Sequence, residues 1–273
     1  MESLRLYSKH KVGYYNWLLA LHNQAHLLRT IIAALKTELT LLTFIIFTLL
    51  LIAPLNGQSN NIKRINTSEL WADMTLNKPI AEKWAIGGDF GIRTALSDTK
   101  FWLFYLRPNV NFKPAHHLKF TLGLGSFNAF SDELFNTYEI RVYQDALVHW
   151  PKLGLFNFSH RFRLEERFFS YSEASIDNDF RFRGRYLLGV RTDGFSLGGA
   201  PNWTVFGSVE PFFRLNGKDN FAANNFRWDT ALCYQANNKL RIELHYILQS
   251  SEFFFDNTQS LENIFRIRVF QDL

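Results

Sequence analysis

The sequence predicts an all-β fold, a single closed antiparallel transmembrane β-barrel of about ten to twelve strands, with twelve favoured. Three observations carry this expectation. Polar and apolar residues alternate one by one, as in "HRFRLEERFF" (160–169) and "FRFRGRY" (180–186), and side chains of a strand point alternately to its two faces. The chain is rich in aromatic residues, with 28 Phe, 10 Tyr and 7 Trp, which suit strands better than helices. The connections alternate between short and long, the pattern of barrels with short periplasmic turns and longer outer loops.

Eleven segments show this alternation. "LWADMTL" (70–76) places Leu70, Ala72, Met74 and Leu76 on one face. "WAIGGDFGIR" (84–93) sets Trp84, Ile86, Phe90 and Ile92 against Asp89 and Arg93, and "WLFYLRPNVNF" (102–112) sets Trp102, Phe104, Leu106, Val110 and Phe112 against Arg107, Asn109 and Asn111. Segments 118–127, 138–150, 155–169, 180–191, 203–214, 226–235, 240–249 and 263–270 follow. Short links such as "KPAHH" and "PKLG" alternate with long ones such as "NAFSDELFNT" and "SYSEASIDND". Single-chain barrels with both termini in the periplasm have even strand numbers, so a twelfth strand is expected, with residues 58–67 the candidate.

The alternation leaves two faces, one apolar and one charged. Lipid outside and a polar lumen inside satisfy both, because only helices and closed barrels pair every backbone group in a membrane. The inward set is then Asp89, Arg93, Lys119, Glu139, Arg141, Asp145, Arg161, Arg163, Glu165, Arg167, Arg181, Arg183, Arg185, Glu210, Arg227, Asp229, Arg241, Glu243, Arg266 and Arg268. Glu166 falls on the lipid face, towards the long-loop end of its strand.

Residues 1–57 read as a leader. The apolar run Leu41–Ile52 is followed by Pro54, Asn56 and Gly57, and twelve residues suit a secretory signal core better than a membrane span, with a signal anchor as the rival reading. Cleavage is expected after Gly57, leaving 58–273 as an outer-membrane β-barrel. The residues before it, including "YYNWLLALHNQAHLLRTIIAAL", are unlike a short signal start, so initiation is expected downstream, near Leu35. The formal charge of +5 shrinks once the leader is set aside: its charges are Arg5, Lys9, Lys11, Arg29 and Lys36 against Glu2 and Glu38, and 25 bases then face 23 acids. Neither this balance nor any recognition motif indicates nucleic acid.

The candidate site is the lumen charge array Arg161, Arg163, Glu165, Arg167, Arg181, Arg183, Arg185, Glu139 and Glu210. Antiparallel pairing of 155–169 with 180–191 puts two arginine rows side by side, so Glu139, Asp145 and Glu210 are the expected neutralising partners. No catalytic residues, metal or cofactor are assigned. Ser159 and His160 are adjacent and fall on opposite faces, His116 and His117 sit in a turn without a third ligand, and the single Cys233 reads as a structural thiol. The function read from these residues is structural or binding. A small anion-preferring pore, a lipid-modifying enzyme and a soluble exported lipid-binding barrel stand as alternatives. The partners expected are outer-membrane lipid, the barrel-assembly machinery and small anionic solutes.

"LWADMTLNKPIAEKWAIGGDFGIR", "FSHRFRLEERFF" with "FRFRGRYLL", and "VEPFFRL" followed by "NNFRWDTALCYQANNKLRIELHYILQ" resemble a family of outer-membrane barrel proteins of Bacteroidetes and other Gram-negative bacteria, domain of unknown function 2490. The resemblance spans roughly 66–273 and implies an outer-membrane barrel without an assigned activity. Amino-terminal sequencing of the exported protein should return Gln58 first; residues ahead of it would place the cleavage elsewhere.

Overall fold

This computed structural model of the chain describes residues 63–96, 101–132, 135–216, 223–252 and 258–273. The leader lies outside the described residues. Among the described residues twelve strands form: β1 (Lys63–Ala81), β2 (Trp84–Ala95), β3 (Trp102–Ala115), β4 (Leu118–Phe130), β5 (Thr137–His149), β6 (Phe156–Tyr171), β7 (Asp179–Thr192), β8 (Phe195–Leu197), β9 (Ala200–Arg214), β10 (Ala223–Gln235), β11 (Leu240–Glu252) and β12 (Thr258–Asp272). Each of the eleven alternating segments is a strand, and most run further than the alternation indicates. The long connections shorten accordingly.

The wall has eleven strands rather than twelve. Consecutive neighbours pair from β1 to β7, β9 follows β7, and β9–β10, β10–β11 and β11–β12 complete the circuit back to β1. An odd number of antiparallel staves brings the first and last strands to the same direction, so the closing pair β1·β12 is parallel, from Lys63↔Thr258 to Asn77↔Asp272. The expectation of a wholly antiparallel barrel fails at this one seam. It also puts the two ends of the described barrel at opposite rims: Lys63 lies with the longer connections, and Leu273, whose N–H donates to the Asn77 carbonyl at 2.9 Å, lies with the short turns.

Among the described residues the twelfth strand lies elsewhere than at 63–67. Residues 58–62 lie outside the described residues, and 63–67 simply lengthen β1. It is β8, a three-residue strand paired on β9 with Phe195↔Trp203 and Leu197↔Ala200. Gly198 and Gly199, with φ of 58° and 80°, make the two-residue turn between them, where left-handed backbone matches the twist of the strands.

Proline leaves marks on the wall because it has no N–H to donate. Pairing of β3 with β4 skips from Leu106↔Ser126 to Asn109↔Gly123 around Pro108, and β7 with β9 skips from Arg185↔Phe212 to Leu188↔Val209 around Pro211. Glycine serves a different need. Gly123 lies opposite Tyr143 and takes its ring against bare backbone; a Cβ there would stand 2.3 Å from the ring carbon Cζ.

Outward positions carry the apolar residues, with Leu122 58% and Leu124 57% exposed. Aromatic pairs lie near both rims of this face. Trp84–Phe112 (4.7 Å between ring centres) and Trp203–Tyr234 (4.8 Å) stand at the short-turn end, and Trp102–Phe130 (4.5 Å) and Phe168–Phe180 (4.9 Å) at the other. Glu166 faces outward as expected, opposite Val142 and Phe182. Inside, Trp71, Ile247 and Ile264 form a buried apolar cluster.

Gly123→Ala should cost about 1–3 kcal/mol, as overpacking does. In urea unfolding of the barrel, much of that cost should vanish in a Tyr143→Ala background, since the two side chains occupy one space.

Candidate functional site

Closure gives the charged face of each strand nowhere to go but inward. The wall encloses a cavity of about 840 Å³. Its lining runs from Asn77, Lys113, Lys119 and Asp272 at the short-turn rim to Leu103, Glu139, Asn225 and Gln249 near the other. It follows the wall for most of its length.

The arginine rows meet as the alternation requires: Arg163 is opposite Arg185, Arg167 opposite Arg181, and Glu165 opposite Arg183. Like charges directly opposed on a sheet repel, so the pairing needs carboxylates. Glu165, fully buried, supplies the central one. It accepts from Arg183 Nε at 2.6 Å, Arg185 Nη1 at 3.0 Å and Arg141 Nη1 at 3.3 Å, with Arg163 Nη1 at 3.8 Å. Glu139 takes a two-pronged bond from Arg167 at 2.7 and 2.8 Å and another from Arg141 at 2.6 Å. Glu210 holds Arg161 at 2.6 Å and Arg185 at 2.7 and 3.1 Å, with Arg227 Nη1 at 3.8 Å. Asp145 binds Arg163 through both carboxylate oxygens.

The structure thus brings Arg161, Arg163, Glu165, Arg167, Arg183, Arg185, Glu139 and Glu210 into one connected network, together with Asp145, Arg141 and Arg227. Arg181 bonds Asp179 and does not line the cavity. Within the network, the seven guanidiniums of Arg141, Arg161, Arg163, Arg167, Arg183, Arg185 and Arg227 share the four carboxylates of Glu139, Asp145, Glu165 and Glu210. Every arginine has a partner, yet the sum is positive.

Aromatic rings separate the charges. Arg141 lies 4.0 Å from the Phe127 ring centre, Arg185 4.5 Å from Phe212 and Arg163 4.7 Å from Tyr143. Trp71 has Arg93 at 3.8 Å, Arg227 at 5.4 Å and Arg266 at 5.5 Å, the range of attraction between a cation and an aromatic face. Three further groups stand in the interior. Asp73 bridges Arg266 and Arg268, and Glu243 holds Arg191 and Arg241 at 2.9 Å while bonding His245, whose other nitrogen meets Asp229 at 2.7 Å. Asp89 pairs with Arg107.

Asp73, Arg107, Lys113, Arg191 and Asp272 are among the interior charges that the inward set omits. All were open to the same parity rule: Lys113 continues the row Arg107, Asn109, Asn111. The residues weighed for chemistry stay apart. Ser159 lines the cavity, while His160 packs outside against Trp150 and bonds the Tyr186 hydroxyl. His116 and His117 form the two-residue turn between β3 and β4, and Cys233 is buried. Among the described residues no group of His, Cys, Asp and Glu is arranged to hold a metal ion.

The fold and its interior define a closed β-barrel with a charged, cationic lumen. The chain belongs to the family of proteins of unknown function DUF2490, whose model matches residues 68–259. No curated protein matches it. Among solved structures, a NanC porin is similar at 14% sequence identity over 64% of this chain and 78% of that one, with a TM-score of 0.38.

Glu165→Gln should cost about 3–5 kcal/mol in urea unfolding, because it leaves buried guanidiniums without their shared charge. Asp193→Asn, which breaks the exposed pair with Lys152 (2.7 Å), should cost no more than about 1 kcal/mol.

Proposed function

We propose that the chain is an outer-membrane β-barrel whose lumen takes up and passes small anionic solutes. The observation that carries this reading is the long cavity lined by a network in which guanidiniums outnumber carboxylates. Ion pairing alone would be met by equal numbers; the surplus leaves a positive field in a confined, water-accessible space, which raises the local concentration of anions.

Insertion in a membrane is supported by the outward face. Large apolar residues are exposed around the wall, and aromatic pairs stand near both rims, as lipid requires of a spanning barrel. Strands of 12 to 16 residues in most of the wall exceed the roughly ten needed to cross the hydrocarbon. In this reading the short turns face the periplasm, the connections near 131 and 175 face outward, and the leader directs export; residues 219 and 256 lie outside the described residues. Glu166, an outward carboxylate within the apolar face, fits where its side chain reaches the interface.

Planar-bilayer conductance of the purified protein tests the reading. Steady channels preferring chloride over potassium are expected. Arg183→Gln, which removes a network charge and leaves Glu165 its other arginines, should lower that preference. Equal or cation-favouring permeability in the wild type would overturn the assignment.

A further inference from the structure

The charges of the lumen differ in whether they are free. Along the middle of the wall each arginine of the network is held by a carboxylate. At the short-turn rim two lysines are not. Lys113 on β3 and Lys119 on β4 both line the cavity, between the rungs Phe112↔Phe120 and Ala115↔Leu118. They stand side by side on adjacent strands, and among the described residues neither has an ion pair.

The acids nearby are committed. Asp145, one rung further in on β5, is gripped through both oxygens by Arg163, and Glu210 is shared by Arg161 and Arg185. Asp272 accepts from the neutral Asn77 amide at 2.9 Å and stands on β12, separated from β3 by β1 and β2. Arg161 stands on the same row as Lys119, with Leu147 between them in register, and its buried Nε has no hydrogen-bond partner among the described residues. His149, Asn157 and Ser159 line the same arc of the cavity and add neutral donors.

Two adjacent lysines with no ion pair among the described residues, beside an arginine that shares Glu210 with Arg185, are unfavourable in the empty barrel. Such an arrangement persists where it serves a ligand rather than stability. We propose that Lys113, Lys119 and Arg161 form a capture site at the short-turn mouth for a small solute carrying two or more negative charges, of the phosphate or dicarboxylate class. This rests on the reading of the lumen as anion-accepting. Lysine suits the task, since its ammonium is a compact charge on a flexible stem and follows an incoming anion, whereas the forked arginines inside are fixed by their partners. All three residues face the lumen and not the outer apolar surface, which favours a free solute over a lipid head group.

Calorimetric titration of the mature barrel in neutral-lipid nanodiscs with sodium pyrophosphate tests the site. The wild type should bind, and Lys113→Gln with Lys119→Gln should weaken binding ~10-fold or more, the loss of charge-assisted bonds. Lys78→Gln with Lys152→Gln removes the same charge away from the cavity and should leave binding nearly unchanged. Lys119→Arg in the Lys113→Arg background should restore it, which excludes a folding defect. Equal weakening in both glutamine pairs, or none in either, overturns the site. If added phosphatidylglycerol competes with pyrophosphate in the wild type, the site belongs to a lipid head group and the solute assignment falls. A barrel that keeps its chloride preference in bilayers while ignoring the lysine changes overturns this site alone; a wild type without that preference overturns the lumen reading beneath it.

Discussion

The interior of this barrel depends on one buried carboxylate. Glu165 has no exposed surface, and guanidiniums from β5, β6 and β7 converge on it. Without it, Arg163 and Arg185 would face each other across a rung with only their outer partners to offset the repulsion. Desolvating one ion of either sign is costly, and the cost is met only where several hydrogen bonds of good geometry surround it. Glu165 is such a place, and the rest of the ion network is built outward from it through Glu139, Asp145 and Glu210.

Arginine, not lysine, fills these positions for a geometric reason. A planar fork of donors serves two acids at once, as Arg185 does between Glu165 and Glu210, and its flat face lies against a ring. Phe127, Tyr143 and Phe212 supply those rings from inside the wall. The aromatic content of the chain therefore has two uses. Outside, rings stand near the rims; inside, they space the guanidiniums. Sharing few acids among many arginines is feasible only with this spacing, and it leaves the net charge on which the proposed function turns.

Strand positions were legible in the sequence because alternation is local. A residue's face follows from its neighbour's, so the inward arginines from Arg161 to Arg185 and the outward Phe162, Leu164 and Phe168 could be assigned rung by rung. Closure is not local. Whether eleven or twelve staves meet, and whether the seam is parallel, depends on how far β1 runs and on pairing between residues some 195 positions apart, such as Asn77 and Asp272. β8 escaped notice because three residues are too few to show a period, although "LGGA" carries the two-glycine turn that makes it. Ion partners lay between these cases. Parity placed Glu139, Asp145 and Glu210 on the right face, and adjacency of strands did the rest, but nothing in the sequence distinguished paired Arg163 from unpaired Lys119.

The seam itself shows how the interior charges fix the wall. In β1·β12, Trp71 lies opposite Arg266 and Asp73 opposite Arg268, and the Asp73 carboxylate bonds Arg268 Nε at 2.9 Å as well as Arg266. A slip of one residue would turn one strand's inward set to the outer face. Asp73 would then point outward, leaving Arg266 and Arg268 inside without an acid, or the two arginines would turn outward and strand Asp73. Apolar alternation alone penalises such a slip on the outer face. Charge pairing penalises it on the inner face as well, so a one-residue slip at the parallel closure is opposed by both faces.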